Sequence, residues 1–365
     1  MVWYAQTARR QSGEREGATE MKPVTALVTG VGAPVGVSVI KALRSASLPV
    51  RVVGVDSEPL AQGLFRVDSS HVVPSVRKDP EGYLDALVRI CRREGAQIIF
   101  SGWEGELPLL AGRKPELEER SGAVLPLAQL GTLLALDKWQ TVRTLAAAGV
   151  PVPDTVLPED HEALAAFLER HPLPYIVKPR CGTGGRGLWL ARTEADLTAC
   201  LKLNPDVVVQ ERLLPDDREY TVGVFCEEDG APAGVLALKR SLAGGLSYRM
   251  EVDQQPAVCA VSARAASALG LAGPANVQLR LTVQGPKVFE VNPRCSSATC
   301  VRANFGLNEP EMAIRRFVLG ETLKEPVVSR GICLRFWEEL YLPPDAGEQA
   351  RAGRYPARGE VHGRF

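Results

Sequence analysis

Between Val24 and Phe100, short apolar runs alternate with amphipathic stretches, and this alternation restricts the fold more than any other feature of the chain. The runs VTALVTG (24–30), VRVVGVD (50–56) and AQIIFSG (96–102) are rich in β-formers and read as buried strands. Between them, VSVIKALRSA has helical spacing, and PEGYLDALVRICRREG places Leu84, Leu87, Val88 and Cys91 on one helix face. Strand–helix–strand repetition predicts a parallel, doubly wound sheet. Residues 21–130 therefore read as a Rossmann-like α/β domain.

The pattern then changes. Residues 131–330 form a second unit of α+β character, with its lobe at about 150–215. LDKWQTVRTLAAAG is a helix ended by Gly149, and Pro151 and Pro153 mark a linker. PYIVKPRCGTGGRGLWLA reads as strand, glycine-rich loop, strand, and DVVVQERLL as a further strand. EYTVGVFCEEDGAPAGVLALKRS is two strands about an Asp-Gly turn, and AVSARAASALG a helix. Residues 331–365 are a strand, GICLRFWEEL, and a tail. Residues 1–20 are polar and without apolar period; they are expected to be a disordered extension before Met21.

Composition excludes several classes. Lys plus Arg and Asp plus Glu number 43 each, so there is no basic excess to bind nucleic acid. No apolar run is long enough to span a membrane, and the N-terminus lacks a signal-type apolar core. Eight scattered cysteines without C-x-x-C spacing fit reduced thiols, and the expected location is the cytoplasm. Only four histidines are present, which disfavours a histidine metal site or triad.

The most informative chemistry lies in NVQLRLTVQGPKVFEVNPRCSS. Folded about Gln284 and Gly285, this hairpin pairs residues whose numbers sum to roughly 568–570, which sets Gln278 across from Glu290. Period-two alternation adds Asn292 to the same face. Three hard oxygen donors suit Mg²⁺, which also borrows phosphate oxygens. Arg294, just past the strand, is placed to reach a phosphoryl group. Polar residues alternate on most antiparallel strands, so the hairpin alone equally reads as a solvated face.

Other pieces handle phosphate. Lys178 ends an apolar strand, and Gly182, Thr183, Gly184, Gly185 and Gly187 follow in a loop able to expose backbone N–H groups. It is not a P-loop, since no Gly-Lys-Ser/Thr opens a helix; a glycine-rich turn is the plain alternative. Glu211 and Glu219 bracket a Pro-Asp-Asp turn, where acids can bind ribose hydroxyls. In KRSLAGGLSYR, Lys239 is assigned to the phosphates and Arg240 or Arg249 to a substrate carboxylate, against the alternative of a mobile surface loop. Glu104 and Glu106, past the third apolar run, are expected on the substrate side of the cleft or simply at a helix N-terminus.

In order, Lys138, Lys178-Pro179, the Gly182–Gly187 loop, Glu211 to Glu219, Gln278 and Glu290-x-Asn292-Pro293-Arg294 resemble the ATP-grasp superfamily. GPANVQLRL and FEVNPRCSSATCVRANFGLNEPEMAI look most like the ATP-binding halves of the carbamoyl-phosphate synthetase large subunit and stand-alone ligases of that kind. The resemblance covers roughly residues 21–320. It implies that Lys138 and Lys178 bind ATP phosphates under the glycine-rich loop. It implies Glu211 and Leu214 by the adenine, Glu219 by the ribose, and Mg²⁺, or Mn²⁺ in its place, on Gln278, Glu290 and Asn292. Arg294 would stabilise the transferred phosphoryl group. The implied activity is ADP-forming ligation of a small carboxylic acid to an amine or ammonia through an acyl phosphate. The family's ligases are often dimers; the oligomeric state here is left open.

The chain departs from the pattern in having one such unit and no glutamine-hydrolysing domain, and in Cys295 after Arg294. Two other functions stay open at this level. VTGVGAPVG with Asp56 resembles an irregular dinucleotide fingerprint, which would suit an NAD(P)-dependent oxidoreductase. A non-catalytic ATP-binding sensor is the other.

Overall fold

The computed structural model describes residues 22–182, 187–336 and 338–356. The expected N-terminal extension lies outside them. Strands β1 (Val24–Val28), β2 (Val50–Asp56), β3 (Ser69–Val72) and β4 (Ile98–Phe100) form a parallel sheet of order β3-β2-β1-β4. Strand β3 was not legible in the sequence: SSHV is short, mostly polar and at the sheet edge. One face of the sheet packs on helix Pro80–Glu94 through Leu84, Leu87 and Cys91, the face anticipated from its spacing. That helix is capped by Asp79, which accepts from Gly82 N, and stopped by Gly95 at φ +65°.

The second unit has two antiparallel sheets. The smaller contains β5 (Thr155–Val156), β6 (Tyr175–Pro179), β7 (Trp189–Ala191) and β8 (Val207–Glu211), in the order β5-β8-β6-β7. Helices His161–Arg170 and Glu194–Leu203 cover its apolar face, where Phe167, Leu197 and Cys200 meet Tyr175, Val177 and Val209. The larger contains β9 (Glu219–Cys226), β10 (Pro232–Ala243), β11 (Leu246–Val252), β12 (Gly273–Thr282), β13 (Gly285–Asn292) and β14 (Ile332–Leu334), in the order β13-β12-β9-β10-β11-β14.

The two faces of the large sheet have different tasks. On one, Val222, Val224, Ala237 and Val277 bury against Val258, Val261 and Ala265 of helix Pro256–Ala268. On the other, Phe225, Leu236, Leu238 and Met250 join a core that extends into the N-terminal domain at Val39, Ile40 and Leu43. The rest of that second face is polar and carries the site.

Three local expectations change. The hairpin turns at Val283 and Gln284, while Gly285 already belongs to β13. KRSLAGGLSYR is no loop: it is the β10–β11 hairpin, closed by Gly244 and Gly245, both at positive φ as a two-residue turn of this kind requires. The tail after β14 packs back, with Tyr355 edge-on to Phe65 at 5.3 Å and Ala350 buried.

Candidate functional site

The hairpin of β12 and β13 builds the floor. Asn276 pairs with Asn292, Val277 with Val291 and Gln278 with Glu290, so the expected facing of Gln278 and Glu290 is met. The register then slips: Leu279 pairs with Val288, leaving Phe289 as a bulge. This explains a pattern that strict alternation cannot. Val288 and Val291 both bury in the core beneath the sheet, although they stand three positions apart and strict alternation would put them on opposite faces. The bulge reverses the alternation and aims Glu290 and Asn292 upward while Val288 stays below.

The oxygen donors are already held by N–H groups. Asn292 Nδ2 donates to Glu290 Oε1 (3.1 Å), Arg294 Nη2 donates to Asn292 Oδ1 (3.0 Å), and Arg240 Nη2 donates to Gln278 Oε1 (2.7 Å). Arg294 also meets Glu104 Oε2 of the N-terminal domain at 2.5 Å, with both side chains about nine-tenths buried. Glu104 therefore meets Arg294 from the first turn of a short helix. Glu106 does not: it is buried within the N-terminal domain, where Ser101, Thr29 and Tyr83 donate to it, and desolvation raises its pKa.

Lysine delivery depends on the small sheet. Asp137 caps helix Lys138–Ala147, pairs with Arg180 at 2.6 Å, and Lys138 N donates to Arg180 O. These contacts fasten the helix start to the end of β6 and bring Lys138 beside Lys178. Lys138 Nζ donates to Gly182 O (2.7 Å). Lys178 is only 5% exposed, donates to Phe289 O (3.0 Å) and faces the Phe289 ring. Desolvation pushes its pKa down to about 8, opposed by Glu290 and reinforced by Lys138. Gly182 and Gly187 sit at positive φ at the ends of the glycine-rich connection; Thr183, Gly184 and Gly185 lie outside the described residues.

The crossing from β8 to β9 is tied down. Glu211 Oε1 accepts from Lys287 Nζ (2.6 Å) and Asp154 N (2.8 Å), while Leu214 is exposed. Glu219 is held between two arginines: Arg240 Nη2 at 2.7 Å and Arg280 Nη2. Arg280 also donates to Leu213 O (2.7 Å) and pairs with Asp216 at 3.0 Å.

Lys239 and Arg249 are not brought to this face. Lys239 pairs with Tyr220 and Glu251, and Arg249 with Ser241, all on the side opposite Gln278 and Glu290. Arg240, one residue on, projects inward instead. The sequence reading also passed over Arg280, although it lies two residues from Gln278 in the same alternation. It missed Arg302 entirely. That side chain is fully buried against Glu309 (2.8 Å), and its Nη1 and Nη2 donate to Asn276 Oδ1 (3.2 Å) and Ser296 Oγ (3.1 Å). It lies over Gly223, where a Cβ would stand 2.2 Å from Arg302 Nε.

Asp56, the residue that suggested a dinucleotide site, accepts from Gly32 N (2.8 Å) and Glu58 N (3.0 Å). Its carboxylate organises its own loop.

The arrangement sets hard oxygen donors and the arginines Arg240, Arg280 and Arg294 on or at the end of strands of the large sheet, with Lys178 on the small sheet and Lys138 at the start of the helix fastened to it. Such a set of side chains is chemically suited to a polyphosphate and its cation. The family described as ATP-grasp in the biosynthetic pathway with Ter operon matches residues 204–339. The ATP-binding domain of the carbamoyl-phosphate synthase L chain matches 137–211, and a PylC-like N-terminal domain matches 26–125. The carbamoyl phosphate synthase large chain of Pyrococcus furiosus is 23% identical over 312 residues, 80% of this chain and 29% of its own. The formate-dependent phosphoribosylglycinamide formyltransferase of Nitratidesulfovibrio vulgaris is 32% identical over 158 residues, 43% of this chain and 37% of its own. The chain thus spans about a third of the length of these curated relatives. Among solved structures, N5-carboxyaminoimidazole synthetase from Staphylococcus aureus, complexed with ADP, superposes with a TM-score of 0.68 at 16% identity, covering 87% of this chain and 83% of that one. L-amino acid ligase from Bacillus licheniformis gives 0.60 at 17%, covering 81% and 74%.

Proposed function

The chain belongs to the ATP-grasp superfamily, and from that premise we propose that it is an ADP-forming carboxylate–amine ligase acting on small molecules. The observation that carries the reading is the facing of Gln278 and Glu290, with Asn292 beside them, under Lys178.

Gln278, Glu290 and Asn292 would hold Mg²⁺; the set fits, since its oxygens are hard, adjacent and inward-facing. When bound, the ion neutralises phosphate charge. Lys138 and Lys178 bind phosphate oxygens beneath the Gly182–Gly187 connection. Glu211 and Leu214 flank the adenine, and Glu219, fixed by its two arginines, borders the ribose. Of the three cations considered in this hairpin, Arg240 is the one that faces Gln278, and it meets a phosphate or the substrate carboxylate.

A substrate carboxylate oxygen attacks the γ-phosphorus, and the bond to the bridging oxygen breaks to release ADP. Arg294 faces the charge on the transferred group. The amine nitrogen then attacks the acyl carbon, inorganic phosphate leaves, and the amine loses a proton. Closure that excludes water spares the acyl phosphate from hydrolysis.

Incubation with MgATP, a panel of carboxylic acids and hydroxylamine tests the reading. The expected products are a hydroxamate and stoichiometric ADP. AMP in place of ADP would overturn the acyl-phosphate route.

A further inference from the structure

Two of the three oxygen donors assigned to the metal are capped by guanidinium groups: Arg240 on Gln278 Oε1 and Arg294 on Asn292 Oδ1. Only one donor, Glu290, is charged. The buried side chains around the cleft include four cations, Lys178, Arg240, Arg280 and Arg294, against the carboxylates of Glu104, Glu219 and Glu290. Glu219 is shared by Arg240 and Arg280, so it offers little to an incoming ion.

We propose that Arg240 is a placeholder cation, holding Gln278 in its ligating position and repelling a bare divalent ion, so that metal enters only with the nucleotide. The inference rests on the ligase reading above and concerns the order in which its ligands assemble. A cleft with excess positive charge disfavours a lone dication, because like charges a few ångströms apart in a low-dielectric site repel strongly. A nucleotide–metal complex carries net negative charge and is attracted by the same residues. On its arrival the guanidinium transfers its N–H from the amide oxygen of Gln278 to a phosphate oxygen. Glu219 remains neutralised by Arg280 throughout, so the movement leaves no unpaired buried carboxylate.

The Arg240–Glu219 contact also fits a swing about a fixed anchor. Arg240 Nε and Nη2 both lie within 3.0 Å of Glu219 Oε1, while one nitrogen, Nη2, reaches Gln278. The guanidinium can give up the Gln278 contact and keep Glu219.

Electron paramagnetic resonance of Mn²⁺ tests this without reference to turnover. The full chain is titrated with Mn²⁺ alone and with Mn²⁺ plus ATP. Wild type is expected to bind Mn²⁺ weakly alone and much more tightly with ATP. Arg240→Met is expected to bind Mn²⁺ alone roughly tenfold more tightly, through loss of the repelling charge, and to bind ATP more weakly. Arg240→Lys, which keeps the charge, should resemble wild type. Adding Glu290→Gln to Arg240→Met should abolish the gain. Unchanged or weaker Mn²⁺ binding in Arg240→Met, or a gain that survives Glu290→Gln, overturns the inference while leaving the ligase reading intact. Failure of wild type to bind ATP with or without Mn²⁺ would overturn the ligase reading itself. Circular dichroism on each variant separates these results from misfolding.

Discussion

Glu104 Oε2 lies 2.5 Å from Arg294 Nη2, and this contact ties the N-terminal domain to the residue just past the strand that carries Glu290 and Asn292. Both partners are about nine-tenths buried. Removing one member of a buried ion pair leaves an uncompensated charge, at a cost of about 3–5 kcal/mol. Glu104→Ala should therefore lower the melting temperature and cut kcat by at least about a hundredfold, a loss of transition-state stabilisation of some 3 kcal/mol. ATP affinity, which the proposed reading assigns chiefly to Lys138, Lys178, Glu211 and Glu219, should change little. Differential scanning calorimetry and isothermal titration check the two halves; a large loss of ATP affinity would refute the separation.

Lys178 titrates near 8 in the folded chain, below the usual lysine value. Between that pH and about 10.4 the unfolded chain binds the extra proton, so stability rises with pH by up to about 1.4 kcal/mol per unit. Below 8 both states are protonated and the full penalty is present. Lys178→Met removes the penalty, so the variant without nucleotide should be more stable than wild type at pH 7, the gap closing towards pH 10. Urea titrations at both pH values measure it.

Under the proposed reading, the same titration is expected to act on nucleotide binding. As the pH passes upward through about 8, Lys178 loses its charge, and if that charge meets the phosphates as proposed, ATP affinity should fall. Bound phosphate raises the lysine pKa, which shifts the fall to higher pH in the complex. Lys178→Met should bind ATP at least about tenfold more weakly, by analogy with the loss of one charged hydrogen bond, and show no step near pH 8.

Arg280 of β12 fastens Leu213 O and Asp216 of the crossing from β8, and also pairs with Glu219 where β9 begins. Arg280→Met should loosen the crossing between the two sheets. KM for ATP is expected to rise about tenfold with kcat little changed, as for lost uniform binding. A fall in kcat with KM unaltered would place Arg280 in the reacting centre instead.

Gly223 admits no side chain, since a Cβ would meet Arg302 Nε at 2.2 Å and Cδ at 2.5 Å. Gly223→Ala must displace a fully buried arginine from Glu309, Asn276 and Ser296. The expected loss is on the order of 3 kcal/mol or more, the combined effect of overpacking and a broken buried network. Chemical denaturation measures it, and a change below about 1 kcal/mol would show that the guanidinium relocates freely.

Elements that depend on near neighbours were legible. The spacing of Leu84, Leu87, Val88 and Cys91 identifies the buried face of its helix, and the hairpin register sets Gln278 opposite Glu290. Both follow from a fixed backbone period. Lys239, Arg240 and Arg249 all remain candidates in the sequence, because a chain read in one dimension does not tell which parity of a strand faces the cleft. Only pairing with Tyr220 on β9 and Glu251 on β11 fixes that.

The sequence by itself determined the parallel N-terminal sheet, the lysine, glycine and oxygen-donor motifs, and their order along the chain. Those properties are set by side-chain periodicity and by residue chemistry within a few positions. Tertiary structure decided what each charge meets. Glu104 finds Arg294 across 190 positions, Lys178 reaches Phe289 O across 111, and Arg302 settles on Gly223 of a strand far earlier in the chain. Such contacts depend on how separate elements pack. The energy of a buried charge is set by whichever opposite charge or dipole the packing delivers, not by its neighbours in sequence.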